Sequence, residues 1–268
     1  MVLESLFPAK KIISKPTDMF VMSFIISIVS VFSAYFIFPS EAGIIAPLLI
    51  TATMTPVVYR IFSIEEELVR EEAENKIKLG FFDRHGETIW LFSLFFLGVL
   101  ASFFLLSVLM PADFVSSVFS QQVSEINRIR GLSGEISGNA LSDKFFNIIT
   151  INNLKVMGFS FLLSFLFATG ALFILSWNAS ILAIYLASFL RQGEFAAFIN
   201  SALGIIPHAP VEMLAYFLAG IAGGVLSAGM IREKLGTKEF NGVVKDSLML
   251  LGLGIVSIFA GAYLEVYL

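Results

Sequence analysis

The stretch Met19–Phe38, MFVMSFIISIVSVFSAYFIF, is 20 residues without a charge. A helix rises 1.5 Å per residue and the hydrocarbon core of a bilayer is about 30 Å thick, so about 20 apolar residues make one crossing. Lys10, Lys11 and Lys15 precede the run in the manner of a secretory signal. A signal core runs only about 7–15 residues and ends at a small-x-small site, and no such site precedes Pro39. The stretch is expected to stay as a first transmembrane helix.

The same ruler finds further spans at Ala42–Tyr59, Thr88–Met110, Val156–Trp177, a region up to about Ala202, Pro207–Ile231 and Ser247–Leu264. Lys155 and Arg191 bracket 35 uncharged residues, about 52 Å of helix, too long for one span and short for two. Turn chemistry at Asn178 and Ser180, and the interruption Arg191-Gln192-Gly193-Glu194, make the fifth segment short or broken. Phe195–Ile206 reads as a half-helix that dips into the membrane. The expected fold is all-α: a polytopic transmembrane helix bundle of about seven spans.

Composition agrees. Of 268 residues, 57% are hydrophobic and 14% charged, against about a quarter charged in a soluble domain. The net charge of -4 gives no basic face for nucleic acid, and the absence of cysteine excludes disulfides, thiolate catalysis and iron–sulfur ligation. The partners expected are the lipid bilayer and other membrane or envelope proteins, with a homo-oligomer also open.

Lys and Arg set orientation, because cytoplasmic loops keep an excess of them. With seven crossings and the N-terminus inside, twelve of the 17 basic residues fall inside; Arg128, Arg130, Lys144, Lys155 and Arg191 fall outside. The chain is therefore expected in the cell membrane, N-terminus cytoplasmic and C-terminus external. Three regions follow: residues 1–62, an N-terminal hairpin extension; 63–87, a cytoplasmic acidic helix with pairs such as Glu72 with Lys76 and Glu74 with Lys78; and 88–268, a five-span domain with an external segment at 111–147. In that segment Phe114, Val115, Val118, Phe119, Val123, Ile126 and Ile129 keep a helical spacing. Gly131, Ser133, Gly134, Ser137, Gly138 and Asn139 then predict a loop.

The least apolar groups near a span are His208 and Glu212 in Pro207-His208-Ala209-Pro210-Val211-Glu212. An ionisable residue at the centre of a span costs about 2.5–3.5 kcal/mol on insertion scales, so it is normally paired or functional. A helix from Pro207 puts both on one face, a His–Glu pair. A helix from Pro210 makes Glu212 a first-turn carboxylate suited to orphan amides. A role with an ion, proton or substrate is the third reading. With no third ligand in view, neither a metal site nor a cofactor is expected. Asn152 and Asn153 stand before the fourth span and Asn178 at its end, where asparagine caps and terminates helices.

This order, Asn-Asn before a span, Asn after it, a short segment, then His-x-x-x-Glu leading into a small-residue helix, resembles the stage II sporulation protein M family of membrane proteins. The likeness covers Thr88 to Leu268, with Ala179 and Ala209 standing where that family commonly has glycine. It implies a non-enzymatic scaffold that anchors partner proteins at the membrane, with no catalytic residue. The alternative is a transporter, channel or permease subunit using Asn178 to Glu212. Gly220, Gly223 and Gly224 mark a helix that packs closely, and Gly252, Gly254 and Gly261 make the last span its expected partner.

Overall fold

The computed structural model describes residues 9–75, 80–134, 141–232 and 236–267. Those residues form eleven helices and no strand: α1 (Ala9–Ser14), α2 (Thr17–Ile37), α3 (Ala42–Asn75), α4 (Phe81–Leu109), α5 (Ala112–Val118), α6 (Ser120–Gly134), α7 (Leu141–Phe167), α8 (Ala171–Arg191), α9 (Phe195–Ile205), α10 (Ala209–Arg232) and α11 (Lys238–Tyr267). Seven, α2, α3, α4, α7, α8, α10 and α11, are long and apolar enough to cross a membrane. The bundle is the all-α, seven-span one expected.

Small side chains decide which face of α2 turns inward. Ser23, Ser27, Ser30 and Ala34 are buried, while Val21, Ile25, Val29 and Phe36 are exposed. In lipid, apolar bulk gains nothing by leaving the surface, and close backbone approach is what holds helices together. Gly98 of α4 meets Ser23 and the carbonyl of Phe20, a contact that a side chain there would block.

Helix α3 runs through Pro47 and Pro56 without a break. Proline has no amide to donate, so Pro47 leaves the Gly43 carbonyl without its helical partner. Gln122 of α6 donates to that carbonyl at 2.8 Å and to Ser180 Oγ of α8 at 3.1 Å. The hydroxyls of Thr51, Thr53 and Thr55 donate to the carbonyls of Pro47, Leu49 and Thr51, and Thr55 Oγ1 lies 2.7 Å from Thr169 Oγ1. The external segment is helical but interrupted at Phe119, and Gly131, Ser133 and Gly134 remain in α6 where a loop was expected. Ser137, Gly138 and Asn139 lie outside the described residues, as do the partners in the Glu72–Lys76 and Glu74–Lys78 pairs.

The uncharged run between Lys155 and Arg191 contains a hairpin turn in a different place. Helix α7 ends at Phe167, Ala168 takes φ 58°, and α8 begins at Ala171 with its amide donating to Ser164 Oγ at 2.9 Å. The fifth span is neither short nor broken but a full crossing of 21 residues, and the break expected at Asn178 falls ten residues earlier, at 168–170. The fourth span starts about fifteen residues before Val156, because Asp143, Lys144, Asn147, Asn152 and Asn153 are helical rather than a loop. The acidic segment is likewise no separate helix: residues 63–75 prolong α3 and 81–87 open α4.

Helices α10 and α11 pack along their length, through Gly254 and Gly261 as expected but not through Gly220, Gly223 and Gly224. Gly220 faces Ala171, Gly223 faces the Phe161 carbonyl of α7, and Gly224 faces the Phe62 ring of α3. The contact with α11 is made by Gly229 against Val243, Gly254 against Ala215 and Gly261 against Glu212.

Candidate functional site

Where α6, α8, α10 and α11 diverge, they leave a cavity of about 690 Å³. Its walls are apolar, from Ile126, Ile181, Leu182 and Met213 among others, and its polar groups are Asn178, His208 and Glu265. Asn178 lies mid-helix in α8, donating to the Ile174 carbonyl at 2.8 Å, so it neither caps nor ends a span. His208 precedes α10, and its carbonyl accepts the Glu212 amide at 3.1 Å.

Glu212 occupies the first turn of α10, as one reading required, yet its carboxyl is directed sideways and not at orphan amides. It is 8% exposed, stands over Gly261, and faces Asn153 of α7 and Glu265 of α11. Its Oε1 makes no hydrogen bond. Asn153 is buried, whereas Asn152 is exposed and donates to Asn153 Oδ1 at 3.3 Å. Asn153 and Glu212 are thus brought together, Asn178 and His208 share the cavity wall, and Asn152 is left exposed. Sequence reasoning missed Glu265. Its signal was an acid following 18 uncharged residues, Ser247 to Leu264.

The arrangement offers two neighbouring carboxyls and an imidazole at the end of an apolar chamber. His208 acts electrostatically on Glu265. Among the described residues no three histidine, aspartate or glutamate side chains converge as a metal site requires.

A family model for stage II sporulation protein M matches residues 91–268, about two thirds of the chain. The chain belongs to the stage II sporulation protein M family. The match begins three residues after Thr88, where the sequence likeness begins, and holds every cavity-lining residue named above. No curated protein and no solved structure matches the chain.

A second polar cluster joins the family domain to the residues preceding it. His85 of α4 sits between two carboxylates: Nδ1 meets Glu65 of α3, and Nε2 lies 2.9 Å from Asp246 Oδ2 of α11. Both ring nitrogens therefore face acceptors, the arrangement of an imidazolium, which donates from both. Arg84 lies 3.1 Å from Asp246 Oδ1, and Arg232 of α10 lies 3.1 Å from Glu66 Oε2 while donating to the Ser63 carbonyl. Glu65, Glu66, His85 and Asp246 are all buried. Arg232 also lies 3.4 Å from Glu67 Oε1, so among the described residues four acids meet three bases. Glu65 and Glu66 read as part of a solvated helix because their partners His85 and Arg232 lie 20 and 166 residues away in the chain.

Proposed function

We propose that this member of the stage II sporulation protein M family is a non-enzymatic scaffold of the cell membrane, anchoring partner membrane or envelope proteins. The observation that carries this reading is the filled centre of the bundle. Between the cavity and the ion-pair cluster stand the buried rings of Phe62, Phe92 and Phe217, with Gly220, Gly223 and Gly224 in close contact with neighbouring helices. A protein built to hold a surface in place needs such a welded interior, whereas a conduit needs polar groups converging at mid-membrane. The excess of basic residues at the Arg232 end supports a cytoplasmic N-terminus and an external C-terminus.

One observation favours a second reading, a transporter, channel or permease subunit: the cavity opens at Glu265, which lies against the buried carboxyl of Glu212, and buried intramembrane acids mark ion and substrate paths. Two measurements on the full-length protein separate the readings. Mass spectrometry of proteins retained after gentle solubilisation is expected to return the same partners from wild type and from Glu212→Gln. Recovery of no membrane or envelope partner, together with solute flux in reconstituted vesicles that Glu212→Gln abolishes, would overturn the scaffold in favour of transport.

A further inference from the structure

One acid lines the cavity, Glu265, and a second, Glu212, adjoins it outside the lining. Glu212 is more than nine-tenths buried with Oε1 hydrogen-bonded to nothing, and Glu265, which lines the cavity, lies against it. No described lysine or arginine is within ion-pair distance of either carboxyl. Among the described residues His208 is the one base lining the cavity, and it offsets at most one charge. A carboxyl buried as Glu212 is requires compensation, which a proton or a cation supplies, and the exposed carboxyl of Glu265 beside it is open to a cation in the cavity.

The remaining walls say what else the cation carries. Ile181, Leu182, Ile205 and Met213 give a hydrocarbon surface, and Phe96 and Tyr185 add aromatic faces of the kind that attract ammonium groups. A volume of about 690 Å³ lies within the about 300–1,000 Å³ of ordinary ligand sites, far more than a bare ion needs. Depth agrees as well: Glu265 is two residues from the end of α11, so a head group there sits at the membrane boundary while a chain lies along the helices.

We propose that this cavity is a binding site for an amphipathic amine, its ammonium head held at Glu265, beside Glu212, and its alkyl chain against Ile181, Leu182 and Met213. The inference goes beyond the scaffold reading and holds whether or not the bound molecule is moved. The amine can belong to a lipid headgroup or to a free alkylammonium, and the test distinguishes the two.

The probe is radiolabelled hexyltrimethylammonium, added to the full-length protein in dodecyl maltoside, a micelle with neither charge nor amine, with empty micelles subtracted. Saturable binding at one site per chain is expected. Glu265→Gln should weaken it roughly tenfold or more, and Ile181→Trp, which fills the cavity, should do the same. Glu239→Gln, at the other end of α11, should leave it unchanged, and hexyl sulfate should not compete. Displacement by dioctanoyl phosphatidylethanolamine assigns the site to a lipid amine; no displacement assigns it to a free one. Uptake no greater than that of empty micelles, equal binding in Glu265→Gln and Ile181→Trp, or competition by hexyl sulfate as strong as by the unlabelled probe would overturn the proposal. Should Glu265→Gln not fold, Ile181→Trp and the sulfate comparison decide it. Neither readout depends on partner retention, so this site and the scaffold reading fail separately.

Discussion

At Gly223 an added Cβ would meet the Phe161 carbonyl and the Phe165 amide, both backbone atoms that cannot rotate away. At Gly252, also inside a span, it would meet nothing within 4 Å. The two positions therefore respond to the same change with opposite sign. Gly223→Ala is expected to cost about 1–3 kcal/mol by overpacking, whereas Gly252→Ala gains about 0.5–1 kcal/mol of helix propensity. Melting temperatures in detergent check this, and a Gly223→Ala variant as stable as Gly252→Ala would remove the close-contact argument. The sequence showed that these helices were rich in small residues but not which neighbour each glycine faces, because that depends on helix rotation. A milder case is Glu125, whose carboxyl Arg128 holds below its ordinary value of 4.5 through two hydrogen bonds. A lowered carboxyl contributes stability above that value and loses it as pH falls through the depressed one. The pair is largely exposed, so Arg128→Gln is expected to change stability by under about 1 kcal/mol at neutral pH. A larger loss would mean that α6 is docked through this pair.

Among the elements, α7 shows most clearly where reading by hydropathy runs out. Its first half carries Asp143, Lys144, Asn147, Asn152, Asn153 and Lys155, a composition that in isolation describes a loop. Tertiary context makes it helical, because Asn153 turns toward Glu212 and Met157 toward Gly254 on a partner already in place. The apolar second half, Val156 to Phe167, was legible, and so were α2, α4 and α10, whose apolar runs are the length of a span. The cavity residues were legible as types, a histidine and an acid beside a span, but the convergence of Asn153 and Glu265 on them was not. The charged starts of α4 and α11 repeat the lesson, since Arg84, His85 and Asp246 look like flanks and are cross-links. Removing one member of a buried ionic set leaves its partners uncompensated, at a cost of about 3–5 kcal/mol. Asp246→Leu should therefore melt well below wild type, while Glu239→Leu, in the first turn of the same helix, should not. Equal melting of the two variants would show that the ionic set does not hold α3, α4 and α11 together.

For the whole molecule, the question is which way the bundle faces. The redrawn helix ends keep seven crossings, so parity is unchanged: the ends of α3, α7 and α10 share one side, and those of α2, α4, α8 and α11 the other. They alter one charge assignment. Lys155 is twelve residues from both Asp143 and Phe167, the ends of its span, so it drops out of the count. Four basic residues, Arg128, Arg130, Lys144 and Arg191, then oppose the twelve on the side of Arg232. The new hairpin turn at 168–170 falls on the Arg232 side and adds no charge to either total. The excess strengthens, so on the proposed orientation Asn75 is expected in the cytoplasm and Ser137 outside. Because the chain has no cysteine, Asn75→Cys and Ser137→Cys each report one position without background. On intact cells an impermeant maleimide should modify Ser137→Cys and leave Asn75→Cys untouched until the membrane is permeabilised. The opposite pattern would invert the bundle and put the ion-pair cluster outside. Modification of both positions on intact cells would mean an even number of crossings between them, which α4 as a single span does not allow.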